Sequence, residues 1–305
     1  MFLVVTGRVS MSLRLPGDRE AAVTTVGPSE VLGEIPLIDG GAHSATAQAA
    51  EATSLLTLGR GDFAALVLRG DPTALTLKRR IAGVACTRLR EQLARLAASL
   101  EESEGGASAV EAPAAELEPS GPPDSAYVRR FATFRALDPL AVWGILTAGR
   151  FARCAASRTL VAEGTFSDAC YVTINGAVEK VIVLGGRRIR VGLAGPGQAF
   201  GYESLIDGRP SPVTAITRER ALLLVLPQEG FERLFHGQMN ASHAFLDVIH
   251  RELAASLRHA LRPQAQLAAS RHAPGPGAAQ QATRGGRPSG TSVTSRNSVA
   301  NSMNR

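Results

Sequence analysis

Apolar residues in the first 58 positions come in short runs that alternate with polar ones, the period of strands with one buried face. Residues 2–14, 22–26, 44–50 and 54–58 read as strands, broken by Gly7 and by the turn Pro16-Gly17-Asp18. The period then changes. Leu75, Ile81, Val84, Ala85, Leu89, Leu93 and Leu96 recur at close to 3.6 residues and predict an amphipathic helix over residues 74–100. Lys78, Arg79, Arg80, Arg88, Arg90, Glu91 and Arg95 are interleaved with them and are assigned to its solvated face. Residues 101–124, rich in Glu, Ala, Pro, Gly and Ser, read as a flexible linker with an acidic bias.

The second half repeats this order behind a helical prelude. Residues 127–134 and 139–147 have helical spacing, and Pro139 after Asp138 suits a first helical turn. Strands are predicted at residues 158–163, 169–174, 177–183, 187–193, 214–217 and 221–226. Asn175-Gly176, Gly185-Gly186, Ala194-Gly195-Pro196-Gly197 and Asp207-Gly208 supply the turns between them. Leu246, Ile249, Leu253, Leu257 and Leu261 make the stripe of a closing helix over residues 240–262, which is expected to stop at Pro263.

The two halves are related residue by residue. Residues 27–63 align without a gap on residues 195–231, at an offset of 168, and 14 of these 37 positions are identical. Many short strands followed by a long helix, twice in one chain, predict a mainly β protein with flanking helices: two β-rolls of jelly-roll type. The first copy is incomplete. Phe2 to Gly7 match Tyr171 to Gly176, so the counterpart of residues 127–168 is expected to be missing ahead of Met1. Such a roll exposes unpaired edges, which fits either a truncated product or an edge covered by another surface. The expected organisation is a truncated domain with its closing helix over residues 1–100, a linker over 101–124, a complete domain over 125–262 and a disordered basic tail over 263–305.

The residues at the centre of each repeat resemble the cyclic nucleotide-binding domain family. That family's phosphate-binding cassette looks like Phe-Gly-Glu-x-Ala-Leu followed, several residues on, by Arg-Ser/Thr-Ala. The first copy reads Leu32-Gly33-Glu34-Ile35-Pro36-Leu37 and then His43-Ser44-Ala45-Thr46. The second reads Phe200-Gly201-Tyr202-Glu203-Ser204-Leu205 and then Ser211-Pro212-Val213-Thr214-Ala215. The resemblance implies that the glycine allows close backbone approach, that the N–H groups after it meet phosphate, that the Glu takes a ribose 2′-hydroxyl and that the Arg pairs with the cyclic phosphate.

Both copies depart from this pattern. The first keeps Glu34 but has His43 where the Arg is expected. Losing a charge-assisted bond of about 1.5–3 kcal/mol weakens binding roughly 10- to 150-fold. The second has Tyr202 at the Glu position and Ser211 at the Arg position, with Glu203 one residue late and Arg209 two residues early. Gly33, Glu34, Ile35, His43, Ser44, Ala45, Gly201, Tyr202, Glu203, Arg209 and Ser211 are thus the candidate binding residues, with cyclic AMP or cyclic GMP as the implied ligand and no other cofactor.

Composition narrows the function. The chain has 305 residues, a 45% apolar fraction and no run that approaches a membrane span. Its net charge of +6 is concentrated in the tail, where residues 264–305 hold five Arg and no acid, so it does not mark a nucleic-acid surface on the rolls. Cys86, Cys154 and Cys170 are unpaired by spacing and read as core residues of a cytoplasmic protein. His236, His243, His250 and His259 lack a carboxylate at zinc spacing and are assigned to the surface. No triad or carboxylate pair is legible, so the expectation is a regulatory module and not an enzyme, with a scaffold protein as the alternative. The helices over 74–100 and 240–262 are expected to meet a protein partner or a second copy. A DNA-binding role would need a helix-turn-helix after the second roll, where none is read.

Overall fold

Val4, Val9, Val26 and Leu32 take the inward positions of short strands and make a small core of their own. Phe200, Leu223 and Val225 do the same in a second, larger core. These are the insides of two β-rolls in the computed structural model, which describes residues 1–15, 19–43, 45–101, 112–184 and 187–271.

Roll 1 runs β1 (Phe2–Thr6), β2 (Val9–Leu15), β3 (Arg19–Val26), β4 (Val31–Leu32), the short helix α1 (Glu34–Asp39), β5 (Thr46–Ala49) and β6 (Ser54–Thr57). Helices α2 (Arg60–Leu68) and α3 (Pro72–Glu101) close it. Then come β7 (Glu118–Ser120), α4 (Ser125–Val128), α5 (Ala132–Arg135) and α6 (Pro139–Thr147). Roll 2 runs β8 (Arg150–Cys154), β9 (Thr159–Val161), β10 (Ala169–Asn175), β11 (Val178–Leu184), β12 (Arg187–Ala194), β13 (Ala199–Phe200), α7 (Glu203–Asp207), β14 (Thr214–Thr217) and β15 (Ala221–Pro227). Helices α8 (Gln228–His236) and α9 (Asn240–Arg271) close it. Residues Met1–Ala269 form one compact unit, and Ser270–Arg305 are a second, described only for the last two residues of α9. The disordered tail expected over residues 263–305 lies outside the described residues from 272 onward. None of the described helices is long and apolar enough to cross a membrane.

The strand orders show the repeat. Roll 1 has sheets β4-β1-β6 and β3-β2-β5; roll 2 has β13-β10-β15-β8-β7 and β12-β11-β14-β9. Even the bulges recur: β1 on β6 slips between Val4 and Thr6, and β10 on β15 between Thr173 and Asn175. What differs is the edge. In roll 2, β8 pairs with β15 and β9 with β14, whereas among the described residues nothing pairs with the corresponding sides of β6 and β5. Part of the segment read as a linker is ordered along roll 2. Its β7 extends the sheet beside β8, and Ala115 N–H donates to Thr159 O at 2.8 Å.

Helices α3 and α9 hold the rolls together. Leu75, Ala82, Cys86, Leu89, Leu93 and Leu96 of α3 share one cluster with Phe245, Leu246, Ile249, Leu253 and Leu257 of α9. Lys78 Nζ donates to Asp247 at 2.6 Å, while further along Arg88 and Gln92 share a cavity wall with Leu257, so the two helices run in parallel. The apolar stripes of the two helices therefore face each other within one chain.

Three expectations are corrected here. The charged residues of α3 are not simply a solvated face. Lys78 is buried on Asp247, and Arg79 donates to Phe235 O and Gly237 O, both at 2.7 Å, satisfying carbonyls at the end of α8. Arg88 is paired with Glu34, and Arg90 holds Asp207. Tertiary contacts reach both flanks of the helix, and a stripe count on one helix cannot register that. His250 is not at the surface: it is buried, with Nε2–H donating to Lys78 O at 2.8 Å, and burial pushes its pKa down to about 4. Finally, α9 passes through Pro263 to Arg271, because a proline removes one main-chain donor without compelling the helix to end.

Because one cluster spans both closing helices, Leu253→Ala should lower stability by about 2–5 kcal/mol. It should do so in a single transition. Urea unfolding followed by far-UV circular dichroism and by Trp143 fluorescence should coincide; separate midpoints would show rolls that unfold independently.

Candidate functional site

The cassette backbone is similar in both rolls, with the short helix starting one residue later in roll 2. Gly33 and Gly201 each take a left-handed conformation, with φ of 70° and 75°. Each turns the chain out of a two-residue strand and into a short helix, α1 or α7. The side chains that this turn presents are different.

In roll 1, Glu34 is buried although it opens α1. Arg88, reaching from α3, pairs with Glu34 Oε1 and also donates to Val31 O. Glu34 Oε2 has no hydrogen-bond partner. The carboxylate borders a cavity of about 90 Å³ shared with Gly33, His43, Arg88, Gln92 and Leu257. The exposed His43 has its ring over Gly33, where a Cβ on the glycine would lie 3.5 Å from it. Ile35 and Ala45 also line the cavity, and Ile35 packs against the shared core as well. Ser44 lies outside the described residues.

The register shows what roll 2 puts in the same places. Met11 of roll 1 sits opposite Thr24 and Ala47; Lys180 of roll 2 sits opposite Gly192 and Ala215. At the repeat offset Glu34 becomes Tyr202 and Arg88 becomes Ser256. All four replacements form one cluster. Tyr202 is fully buried and brings its hydroxyl beside Ser256 without hydrogen-bond geometry. Lys180 Nζ donates to Ser256 Oγ at 2.9 Å. A Cβ on Gly192 would come within 2.7 Å of Lys180 Cε, so the exchange of Thr for Gly makes room for the exchange of Met for Lys.

Two carboxyls complete this cluster. Glu203 is buried with Oε2 unpartnered, and Glu252 of α9 accepts from Gln198 Nε2 at 3.3 Å. Burial raises the pKa of both, Glu252 to about 7, and the charge of Lys180 opposes the rise in each case. Burial first, and then the charges of Glu203 and Glu252, push the Tyr202 phenol well above its ordinary value. The remaining candidates are engaged elsewhere. Arg209 is held at 3.2 Å by Asp207 and donates to Thr87 Oγ of α3 at 2.9 Å. The buried Ser211 donates to Val213 O within its own turn.

The structure thus adds Arg88, Gln92, Lys180, Glu252, Ser256 and Leu257 to the surroundings of the cassettes. Leu257 belongs to α9 yet lines the cavity of roll 1, and Arg90 of α3 reaches Asp207 of roll 2 through both nitrogens of its fork. Carrying the repeat offset on into the two long helices would have paired Arg88 with Ser256 and exposed the first of these.

Comparison with known proteins follows the same outline. A model of the cyclic nucleotide-binding domain matches residues 1–69 and 151–238. The cyclic AMP receptor protein of Thermus thermophilus is 38% identical over 91 residues, covering 30% of this chain. The chain spans 40% of the length of that relative. Among solved structures, the regulatory domain of Toxoplasma gondii protein kinase A with cAMP matches at 19% identity and a TM-score of 0.34, over 80% of this chain and 76% of that one. The catabolite activator protein of Thermus thermophilus matches at 26% identity and a TM-score of 0.36, over 40% of this chain and 57% of that one.

The carboxyl of Glu252 yields a pH prediction. Its folded pKa near 7 lies above the ordinary value of 4.5, so its contribution to stability is present below about pH 4.5 and lost as pH rises through 7. The wild type should therefore lose stability between pH 5 and 8 relative to Glu252→Gln, by roughly 3 kcal/mol for a shift of this size. Denaturant unfolding at stepped pH measures the difference, and parallel curves would refute the assignment.

Proposed function

The chain belongs to the cyclic nucleotide-binding domain family, and from that premise we propose that it is a ligand-responsive regulatory protein whose ligand site is the cassette of roll 1. The observation that carries this reading is Glu34 itself: buried, kept on a left-handed glycine turn, and bordering a cavity with one carboxylate oxygen unpartnered. Leaving a buried carboxylate oxygen without a donor costs free energy that a ligand hydroxyl would recover.

In this reading a sugar hydroxyl donates to Glu34 Oε2. The anionic part of the ligand then meets the Arg88 guanidinium and the His43 ring, the cationic and N–H groups nearest to hand. The cavity of about 90 Å³ is smaller than the 300–1,000 Å³ of usual ligand sites, so binding must be accompanied by outward movement of its walls. Those walls are the exposed His43 on one side and α3 with Leu257 of α9 on the other. Entry of the ligand is thereby tied to the helix pair, and this makes the protein a sensor: the ligand shifts the population of one packing of α3 and α9 over another.

Roll 2 serves as the fixed half. Tyr202, Lys180 and Ser256 occupy the places that Glu34, Met11 and Arg88 hold in roll 1, so no room is left for a sugar. That filling is also the specific observation behind a second reading, in which both rolls are scaffold and neither takes a nucleotide.

Isothermal titration of the full chain with cyclic AMP and with cyclic GMP separates the two readings. Wild-type binding should be abolished or sharply weakened by Glu34→Ala. His43→Arg should strengthen it roughly 10- to 150-fold, the worth of a charge-assisted pair of about 1.5–3 kcal/mol. Tyr202→Ala should leave the ligand affinity of roll 1 unchanged. If the folded His43→Arg protein takes up neither nucleotide, the scaffold reading replaces this one.

A further inference from the structure

Helix α9 carries part of the buried cluster of roll 2 on one side and a wall of the roll 1 cavity on the other. Glu252 and Ser256 lie one turn apart on it. Gln198, in the turn before β13, donates to Glu252, and Lys180 of β11 donates to Ser256. The adjacent Leu257 lines the cavity of roll 1, and Arg258 donates to Ala42 O, beside His43, at 3.3 Å. One stretch of helix is thus fastened to roll 2 by two side-chain bonds while it closes the cavity of roll 1.

The charges of the cluster do not balance. Lys180 brings one ammonium, Glu203 and Glu252 bring two carboxyls, and all three residues are buried. The Arg90 fork of α3 is taken up by Asp207, and Arg251 of α9 donates to Thr133 O. Tyr202 of α7, Cys86 of α3 and Cys170 of β10 also face the carboxyls. Burial holds the pKa of each of these three well above its ordinary value, so they stay neutral near pH 7. Two carboxylates beside one ammonium would leave an uncompensated negative charge in the interior, which is strongly unfavourable. The closed cluster therefore holds one proton on its carboxyls, and it releases that proton at about pH 7, the value at Glu252.

We propose that this cluster is a proton-operated latch: loss of the proton frees residues 252–258 of α9 from roll 2 and so loosens the wall of the roll 1 cavity. The latched form is the one that holds the proton, so a rise in pH through 7 favours the unlatched form. There Glu252 meets water and titrates near its ordinary 4.5. With these two values the ratio of unlatched to latched chains rises by at most about tenfold between pH 6 and 8. The effect on ligand rests on roll 1 being the ligand site. Entry that moves Leu257 outward becomes easier once the proton has left, so affinity rises with pH.

Amide hydrogen exchange of the ligand-free full chain at pH 6, 7 and 8, corrected for the intrinsic exchange rate, reads the latch directly. Residues 252–258 should lose protection at least about threefold over this range, and residues 223–226 of β15 should lose less. Glu252→Gln keeps an acceptor for Gln198 without a titrating proton and should abolish the change. Lys180→Met removes the charge that favours the carboxylate and should move the midpoint to higher pH. Constant protection, an equal loss in β15, a wild-type response in Glu252→Gln, or a midpoint that Lys180→Met leaves in place overturns the proposal. Isothermal titration with cyclic AMP at the same pH values should show affinity rising at least about threefold in the wild type and constant in Glu252→Gln. Affinity independent of pH while exchange responds overturns the link to roll 1. If exchange responds and no cyclic AMP is taken up at any pH, the latch stands and the reading of roll 1 as a cyclic AMP site fails.

Discussion

The parallel packing of α3 on α9 is the contact on which the other features of this molecule rest. Two amphipathic helices of about thirty residues, each too costly in ordering entropy to stand alone in water, bury their stripes on each other within one chain. A buried ammonium, Lys78, fixes how they meet. With Asp247 beside it and His250 bonded to its carbonyl, it has one position in which its charge is satisfied. With Asp247 only half-buried the pair is weak as a source of net stability, but a shifted register would strand the buried charge of Lys78. Register in turn decides which α3 residues reach which roll: Arg88 its own cassette, Arg90 that of roll 2.

The two cassettes then show how one backbone carries two chemistries. Gly33 and Gly201 both turn in the left-handed region, so the main divergence lies in side chains and is concerted. Glu, Arg, Met and Thr in roll 1 stand where Tyr, Ser, Lys and Gly stand in roll 2. Each exchange makes sense only with the others. Tyr202 leaves no carboxylate for an arginine to pair with, and a serine there is short enough to receive Lys180. Lys180 in turn runs where a side chain at position 192 would crowd it. The result in roll 2 is a cluster with two carboxyls and one ammonium, which the interior tolerates by keeping carboxyl pKa values high. Roll 1 instead pairs its one cassette carboxylate with an arginine and leaves the other oxygen facing a small cavity.

Much of the fold was legible in the sequence because a repeat lets each strand be read twice. Most of the strands of roll 2 and the onset of both long helices follow from period and turn residues. β8 went unread, since Arg150 and Arg153 interrupt its apolar alternation, and β7 lies in a stretch whose Pro and Glu content speaks of linker. The cassettes were legible as far as Glu34, His43, Tyr202 and Ser211. Their partners from the helices were not. Arg88 and Lys180 are long polar side chains on amphipathic elements, and nothing local distinguishes one that reaches a buried carboxylate from one that reaches water. His250 was hidden for the same reason: its burial depends on a helix 172 residues away in sequence.

Roll 1 is the less enclosed of the two. Its own core is small, and among the described residues nothing pairs with the outer sides of β5 and β6. Roll 2 has β8 and β9 along the corresponding sides, buried side chains at Tyr202, Lys180 and Ser256, and a large share of the common cluster. Arg88 joins roll 1 to the rest of the chain: it pairs with Glu34 of the cassette and belongs to the helix that packs on α9 and, through Arg90, holds Asp207 of roll 2.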